Sequence, residues 1–188
     1  MSQIEVDKII PQSGTTLTVG DSGDTVTLTS GANLSVDGTI KLDGNYPTGT
    51  SNVALGDSAL DDGSLSGGCN VAIGHLTLTA NTSGGRNIAI GRAPMQSNTT
   101  GDDNVAIGDQ ALVNNTAGDF NIAIGRATLF NNTGSNNTSV GSCALFANTT
   151  ASNNTAFGYN ALKVNTTASN NTAVGFESLC KNTTGASN

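Results

Sequence analysis

The chain has 188 residues, a formal net charge of −7, 24 glycines, five phenylalanines, two tyrosines and no tryptophan. So few large apolar side chains exclude a wide globular core, and the regularly spaced aliphatic residues favour a narrow core built from small side chains and repeated backbone pairing. The seven Lys and Arg residues are scattered through an acidic chain, which argues against a nucleic-acid partner.

Residues 1–51 contain short alternating runs of β-branched and polar residues separated by glycines. These runs predict short β-strands at residues 4–10, 15–19, 25–29, 33–36 and 39–42, with a linker at residues 46–49. The segment has too few apolar residues to bury a core alone, so we expect partner chains to complete it. It lacks the basic and apolar regions of a signal peptide, and no apolar run in the chain approaches the ~20 residues that span a bilayer. We therefore expect no secretion address and no membrane partner.

A single unit repeats from Asn52 onward, with a step of 16 to 18 residues. Each unit opens with Asn-x-Ala-aliphatic-Gly, continues with an Ala-Leu pair and ends with an Asn-Thr turn. The opening asparagines are Asn52, Asn70, Asn87, Asn104, Asn121, Asn137, Asn154 and Asn171. Positions are counted from this Asn, and residues at one position of successive units form a column. A fixed period of this length indicates stacked supersecondary units.

Two short strands are predicted in each unit, one at the opening pentad and one at the Ala-Leu pair. Stacking places each strand beside its counterpart in the next unit at about 4.8 Å, which would form two facing parallel sheets and a rod of roughly 40 Å. The predicted fold is an all-β parallel β-solenoid, or β-roll, of about eight 17-residue turns over residues 52–188. A short-stranded N-terminal β segment, residues 1–51, precedes it.

Period-two alternation in the pentad sends Ala to one face and the second and fourth positions to the other. Only Ala fits inside a narrow roll, so the aliphatic face needs a second surface, which a twofold or threefold partner could supply. The residues predicted to pack the core or the interface between chains are Ile73, Ile90, Ile107, Ile124, Val140, Phe157 and Val174 at the fourth position, and Leu78, Leu112, Leu129, Leu145, Leu162 and Leu179 at the ninth.

The remaining repeat positions give four further expectations. Gly at the fifth position predicts a positive φ or a close backbone approach. The asparagines at the first and twelfth positions predict side chains that hydrogen-bond to nearby backbone or stack as ladders. Asn and Thr are expected to cover the outside. Pro94 predicts a local irregularity because it has no N–H. The first unit, which contains GSLSGG instead of an Asn-Thr turn, is predicted to be a cap. Asn188 falls where a ninth unit would open, so we expect a longer protein.

The pentads NVAIG, NIAIG and NTAVG, each followed by the Ala-Leu position, resemble the head repeats of YadA-type trimeric autotransporter adhesins and related repeats of bacteriophage tail fibres. The resemblance covers residues 52–188, although Ser139 replaces Ala in one pentad. It implies a left-handed parallel β-roll, a homotrimer about one axis, and an adhesive role at a virion or cell surface.

The opening stretch MSQIEVDKIIPQSGTTLTVGDSGDTVTL resembles N-terminal segments of tail-fibre or appendage proteins of marine phages, including phages of cyanobacteria. This resemblance implies that residues 1–51 bind other virion tail proteins, while a distal region contacts a host surface receptor. The resulting hypothesis is a non-enzymatic tail fibre or appendage located on the virion. The alternative is a bacterial cell-surface adhesin that binds matrix or glycan.

No residue pattern indicates a catalytic, cofactor or metal site. His75 is the only histidine and is predicted to lie in a surface turn. Neighbouring acids at 61–62 and 102–103 favour solvated turns over the paired carboxylates of a glycosidase. The three cysteines have no common repeat position and are expected to be free thiols. A column of threonines at the thirteenth position leaves an ice-binding face as a minor alternative.

Overall fold

The computed structural model describes residues 50–188, and these form a parallel β-solenoid with one short strand per repeat unit. The strands are β1 (Val53–Leu55), β2 (Val71–Ile73), β3 (Ile88–Ile90), β4 (Val105–Ile107), β5 (Ile122–Ile124), β6 (Thr138–Val140), β7 (Thr155–Phe157) and β8 (Thr172–Val174). They form one parallel sheet in chain order, and the described residues contain no helix. The predicted all-β solenoid is confirmed, whereas the strands predicted within residues 1–51 lie outside the described residues.

Identical repeat positions lie opposite each other in every strand pair. Between β4 and β5, for example, Ala106 pairs with Ala123 and Ile107 with Ile124. The same register is kept where one unit is longer, with Val53 paired to Val71, and where one unit is shorter, with Ile122 paired to Thr138. Insertions and deletions are therefore absorbed in the loops, and the sheet remains continuous.

The interior is a narrow core built mainly from two apolar columns, with buried alanines of the eighth position, such as Ala111, beside them. The third-position alanines point inward, and Ala89, Ala106 and Ala123 are fully buried. The ninth-position column, which includes Leu112 and Leu129, is also fully buried in most turns. Burying one Leu side chain contributes about 1.5–3 kcal/mol, so this column is the main apolar contribution of each turn.

The second strand predicted at the Ala-Leu pair is wrong. Leu112 has φ 54° and Gln110 has φ 57°, both in the left-handed region that no strand residue adopts. Every turn repeats these values at its seventh and ninth positions. The left-handed residues fold the segment tightly enough to bring each Leu inside, and neighbouring turns still share backbone hydrogen bonds: Leu112 N–H donates to the Thr128 carbonyl at 2.9 Å. One sheet and one hydrogen-bonded turn column replace the two predicted sheets.

Pro94 does not disturb the solenoid, so the predicted irregularity there is wrong. At the equivalent position of another turn, Ala144 N–H donates within its own turn, to the Gly141 carbonyl at 3.3 Å. Proline therefore gives up a bond within a turn, while the Pro94 carbonyl still accepts from Leu78 N–H of the preceding turn at 3.3 Å.

The fifth-position glycines are required for two reasons. Gly108 has φ +134°, and a Cβ added there would lie 2.6 Å from the carbonyl oxygen of Gly125 in the next turn. Both the predicted positive φ and the predicted close approach are confirmed.

Candidate functional site

Two columns of asparagine run through the interior of the solenoid. In the opening column, the Asn104 side-chain oxygen accepts from Asn121 N–H at 2.9 Å, and its amide nitrogen donates to the Gly118 carbonyl at 2.9 Å. The same bonds recur from turn to turn, and the described members from Asn70 to Asn171 are fully buried. The predicted ladders are confirmed. Asparagine at the first and twelfth positions does not cover the outside, because its amide replaces backbone hydrogen bonds where the chain bends, whereas Asn136, Asn153 and Asn170 are exposed.

The twelfth-position ladder has one break. Asn115 donates to the Asn98 side-chain oxygen at 2.9 Å, continuing the column from the preceding turn. The Asn115 side-chain oxygen itself is buried without a hydrogen-bond partner. The break falls beside the short turn that begins at Asn121, whose Asn132 amide donates to Gly134 instead. The loss of one loop residue therefore interrupts this ladder without interrupting the sheet.

The outer face of the sheet carries the second and fourth positions of each pentad. The fourth positions, together with the second positions of the first five strands, form an apolar stripe whose residues are half-buried to exposed. Ile124 is 38% exposed, Phe157 53% and Val174 68%. This stripe contains the fourth-position residues of the predicted packing set: Ile73, Ile90, Ile107, Ile124, Val140, Phe157 and Val174. An apolar column of this length on a sheet face has no cover from within the described residues.

The ninth-position residues of the same predicted set lie in a different place. Leu78, Leu112, Leu129, Leu145 and Leu162 are fully buried inside the solenoid, and Leu179 in the last turn is 39% exposed. The structure thus separates the predicted residues into an internal Leu column and an external stripe. Among these residues, only the external stripe and Leu179 are accessible to another molecule.

Charged side chains lie on both sides of the stripe in the middle turns. Arg86 donates to Asp103 through two nitrogens, with Nε to Oδ1 at 2.7 Å, and its guanidinium also contacts Asp102 at 3.3 Å. Arg92 contacts Asp109 at 2.9 Å. The hydrogen bonds that Arg86 donates lower the pKa of Asp103, and the same bonds raise the pKa of Arg86. These pairs neutralise charge between adjacent turns.

On another side of the solenoid, columns of hydroxyl and carboxylate groups form hydrogen bonds with the backbone of the adjacent turn. Thr99 Oγ1 donates to the Thr116 carbonyl at 2.8 Å, so this hydroxyl bonds the next turn. At the sixteenth position, an Asp119 oxygen accepts from Asp102 N–H at 2.8 Å. The sequence reasoning missed this sixteenth-position ladder, although the recurring Asp and Ser at that position was its signal.

The remaining candidate residues form no reactive site. His75 lies in an exposed turn, as predicted, with Nε2 3.4 Å from Asp57 Oδ2. The Ser64 hydroxyl and N–H both donate to Asp62 and lower the pKa of its carboxyl group. Cys69, Cys143 and Cys180 are free thiols, as predicted. Within residues 50–188, no group of three His, Cys, Asp or Glu could hold a metal ion. The same part of the chain has no helix long and apolar enough to cross a membrane.

No protein-family model, no curated protein and no solved structure matches the chain. On the surface of residues 50–188, the apolar stripe is continuous along all eight strands.

Proposed function

We propose that the chain is a non-enzymatic structural protein of a virion tail fibre or appendage, in which the solenoid forms the shaft. Three copies associate through the apolar stripe into a left-handed β-roll trimer. Residues 1–51 bind other virion tail proteins, and a distal region contacts the host surface receptor. The observation that carries this proposal is the unbroken fourth-position apolar column on the outer face of all eight strands.

The size of the stripe supports association of the shaft with a partner. Seven steps of about 4.8 Å make it about 34 Å long, and three extended residues make it about 10 Å wide. The resulting patch of roughly 340 Å² lies in the range of the largest apolar patch on a typical monomer, and such patches are often functional. A stable interface needs about 800 Å² from each partner. The columns beside the stripe must therefore join the contact.

The internal bonding supports a mechanical role. Each turn is joined to the next by strand pairing and by the Asn side chains of the interior. These bonds act along the solenoid axis, and extension or bending would break many of them together. A shaft that holds a receptor-binding region away from a particle requires such resistance.

Labelling of intact particles tests the proposed location. Antibodies raised against residues 52–188 should bind appendages of the virion in electron micrographs, and should reduce adsorption of particles to host cells. Labelling of a bacterial cell surface, with no labelling of particles, would overturn the virion proposal and favour the adhesin alternative. A cytosolic enzyme or storage role would give neither pattern.

A further inference from the structure

We infer that copies of this chain wind around one another when they associate, because the apolar stripe moves sideways along the solenoid. The inference rests on the proposed self-association and adds to it the path of the contact. The stripe occupies one pair of columns in the first five turns and a different pair in the last turns.

In turns β1 to β5, the stripe consists of the second and fourth positions. Both are Val, Ile or Leu in every strand, as with Ile122 and Ile124 in β5, which are 39% and 38% exposed. The sixth position, just beyond the glycine, is polar or charged in these turns. It holds Asp57, His75, Arg92, Asp109 and Arg126. The apolar surface therefore ends at the fourth position here.

In turns β6 to β8, the second position becomes threonine: Thr138, Thr155 and Thr172. Over the same turns the sixth position is Ser142, then Tyr159, then Phe176. Tyr159 is 48% exposed and Phe176 is 73% exposed. The Tyr159 and Phe176 rings stack with centroids 5.4 Å apart. Only a glycine column, without side chains, separates them from the fourth position. The stripe therefore consists of the fourth and sixth positions in the last two turns.

The displacement gives an inclination. The centre of the stripe moves by two positions between β3 and β7, which are four steps or about 19 Å apart along the axis. Because the strand ends at Phe157 and Gly158 has φ +135°, this sideways move is at most about 6.6 Å, and the stripe is inclined to the solenoid axis by up to about 20°. Chains that keep an inclined stripe buried must wind around each other, as helices do when their apolar seam drifts around the helix surface.

The features of the stripe fit a second copy of this chain better than another partner. A partner that follows a narrow apolar line over about 34 Å, with side chains every 4.8 Å, needs the same repeat spacing, which another solenoid has. The charges beside the stripe are partly neutralised within each chain, because Arg86 and Arg92 are each paired with carboxylates of their own chain. Tyr159 stacks on Phe176 with ring centroids 5.4 Å apart, so each ring already covers part of one face of the other.

Lysine substitutions on the full chain test the path of the contact. Ile122→Lys and Tyr159→Lys should each raise the dissociation concentration of the oligomer by at least about 10-fold, measured by light scattering across a dilution series, because a buried charge without a partner is costly. Thr155→Lys, in the same turn as Tyr159, is the matched control and should leave the mass unchanged. Circular dichroism shows whether each variant remains folded. Phe176→Lys replaces Tyr159→Lys if the latter misfolds.

A straight stripe gives the opposite result in the later turns. Thr155→Lys would then weaken association as much as Ile122→Lys does, and the sixth-position variants would have no effect. That outcome would overturn the winding contact while leaving the fibre proposal intact. A wild-type chain that is monomeric at every concentration would overturn both.

Discussion

Removal of one interior amide should destabilise the solenoid far more than removal of an amide nearer the surface. Asn104→Ala deletes a fully buried member of the opening Asn ladder. Asn114→Ala, ten residues later in the same turn, deletes a half-buried amide whose side chain donates to the Asn131 oxygen at 3.2 Å. The two substitutions remove the same atoms from different environments.

The size of the effect follows from the bonds that remain unmade. Without the Asn104 side chain, Asn121 N–H loses its acceptor and the Gly118 carbonyl loses a donor. Each buried polar group left without a partner costs about 1–3 kcal/mol, so Asn104→Ala should lower the free energy of unfolding by about 2–6 kcal/mol. Water can replace the bond lost in Asn114→Ala, and its cost should stay below about 1 kcal/mol.

Guanidinium denaturation followed by circular dichroism measures both variants, at one fixed protein concentration because the proposed association would contribute to stability. Hydrogen exchange adds a local measurement: the Asn121 N–H should lose protection in Asn104→Ala and keep it in Asn114→Ala. Equal destabilisation by the two substitutions would refute the assignment of the interior ladder as a main stabilising element.

Three other substitutions test the core, the bends and the surface ion pairs. Leu112→Ala should lower the free energy of unfolding by about 2–5 kcal/mol in guanidinium titrations, since Leu112 is fully buried; a loss below about 1 kcal/mol would contradict its place in the core. Gly108→Ala should lower the thermal midpoint, whereas Gly63→Ala, with no atom within 4 Å of the added Cβ, should not; equal midpoints would contradict the close approach of turns. Arg86 lowers the pKa of Asp103 from 3.8, so this carboxylate stabilises the folded state above that pH and the contribution is lost as pH falls through the lowered pKa. Asp103→Asn should therefore reduce the thermal midpoint at pH 7, and the difference from wild type should vanish in strong acid; a difference that persists there would contradict the pairing with Arg86.

The repeat period and the alternation of the pentad were sufficient to predict much of the fold. Ala106 pairs with Ala123 because the same position recurs after one period, and Ala faces inward while Ile107 faces outward because a strand alternates. The same alternation located the apolar stripe. These features depend on residue spacing alone, which a sequence states directly.

The errors arose where backbone conformation does not follow from residue type. Leu112 and Gln110 adopt left-handed conformations that are unusual for their side chains, so the Ala-Leu segment gave no sign that it would bend. Asn104 is buried although asparagine is usually exposed, because its amide completes backbone hydrogen bonds across turns. Tertiary stacking decides both outcomes, and a single unit does not contain that information.

The outward-facing side of the pentad was predicted from the sequence, but the location of the Ala-Leu column was not. Both Ile107 and Leu112 were predicted to pack in the core or between chains, and only the structure separates the external column from the internal one. The apolar stripe shifts from the column of Ile122 to the column of Tyr159, and this shift is recognised only when the strand positions are known.

Sedimentation velocity on the purified full chain tests the proposed trimeric shaft, because it reports mass and shape together. We expect an elongated particle with three times the chain mass of 18.7 kDa. A compact particle with the mass of one chain, at all concentrations, would mean that the stripe is covered within its own chain and would contradict the proposed fibre.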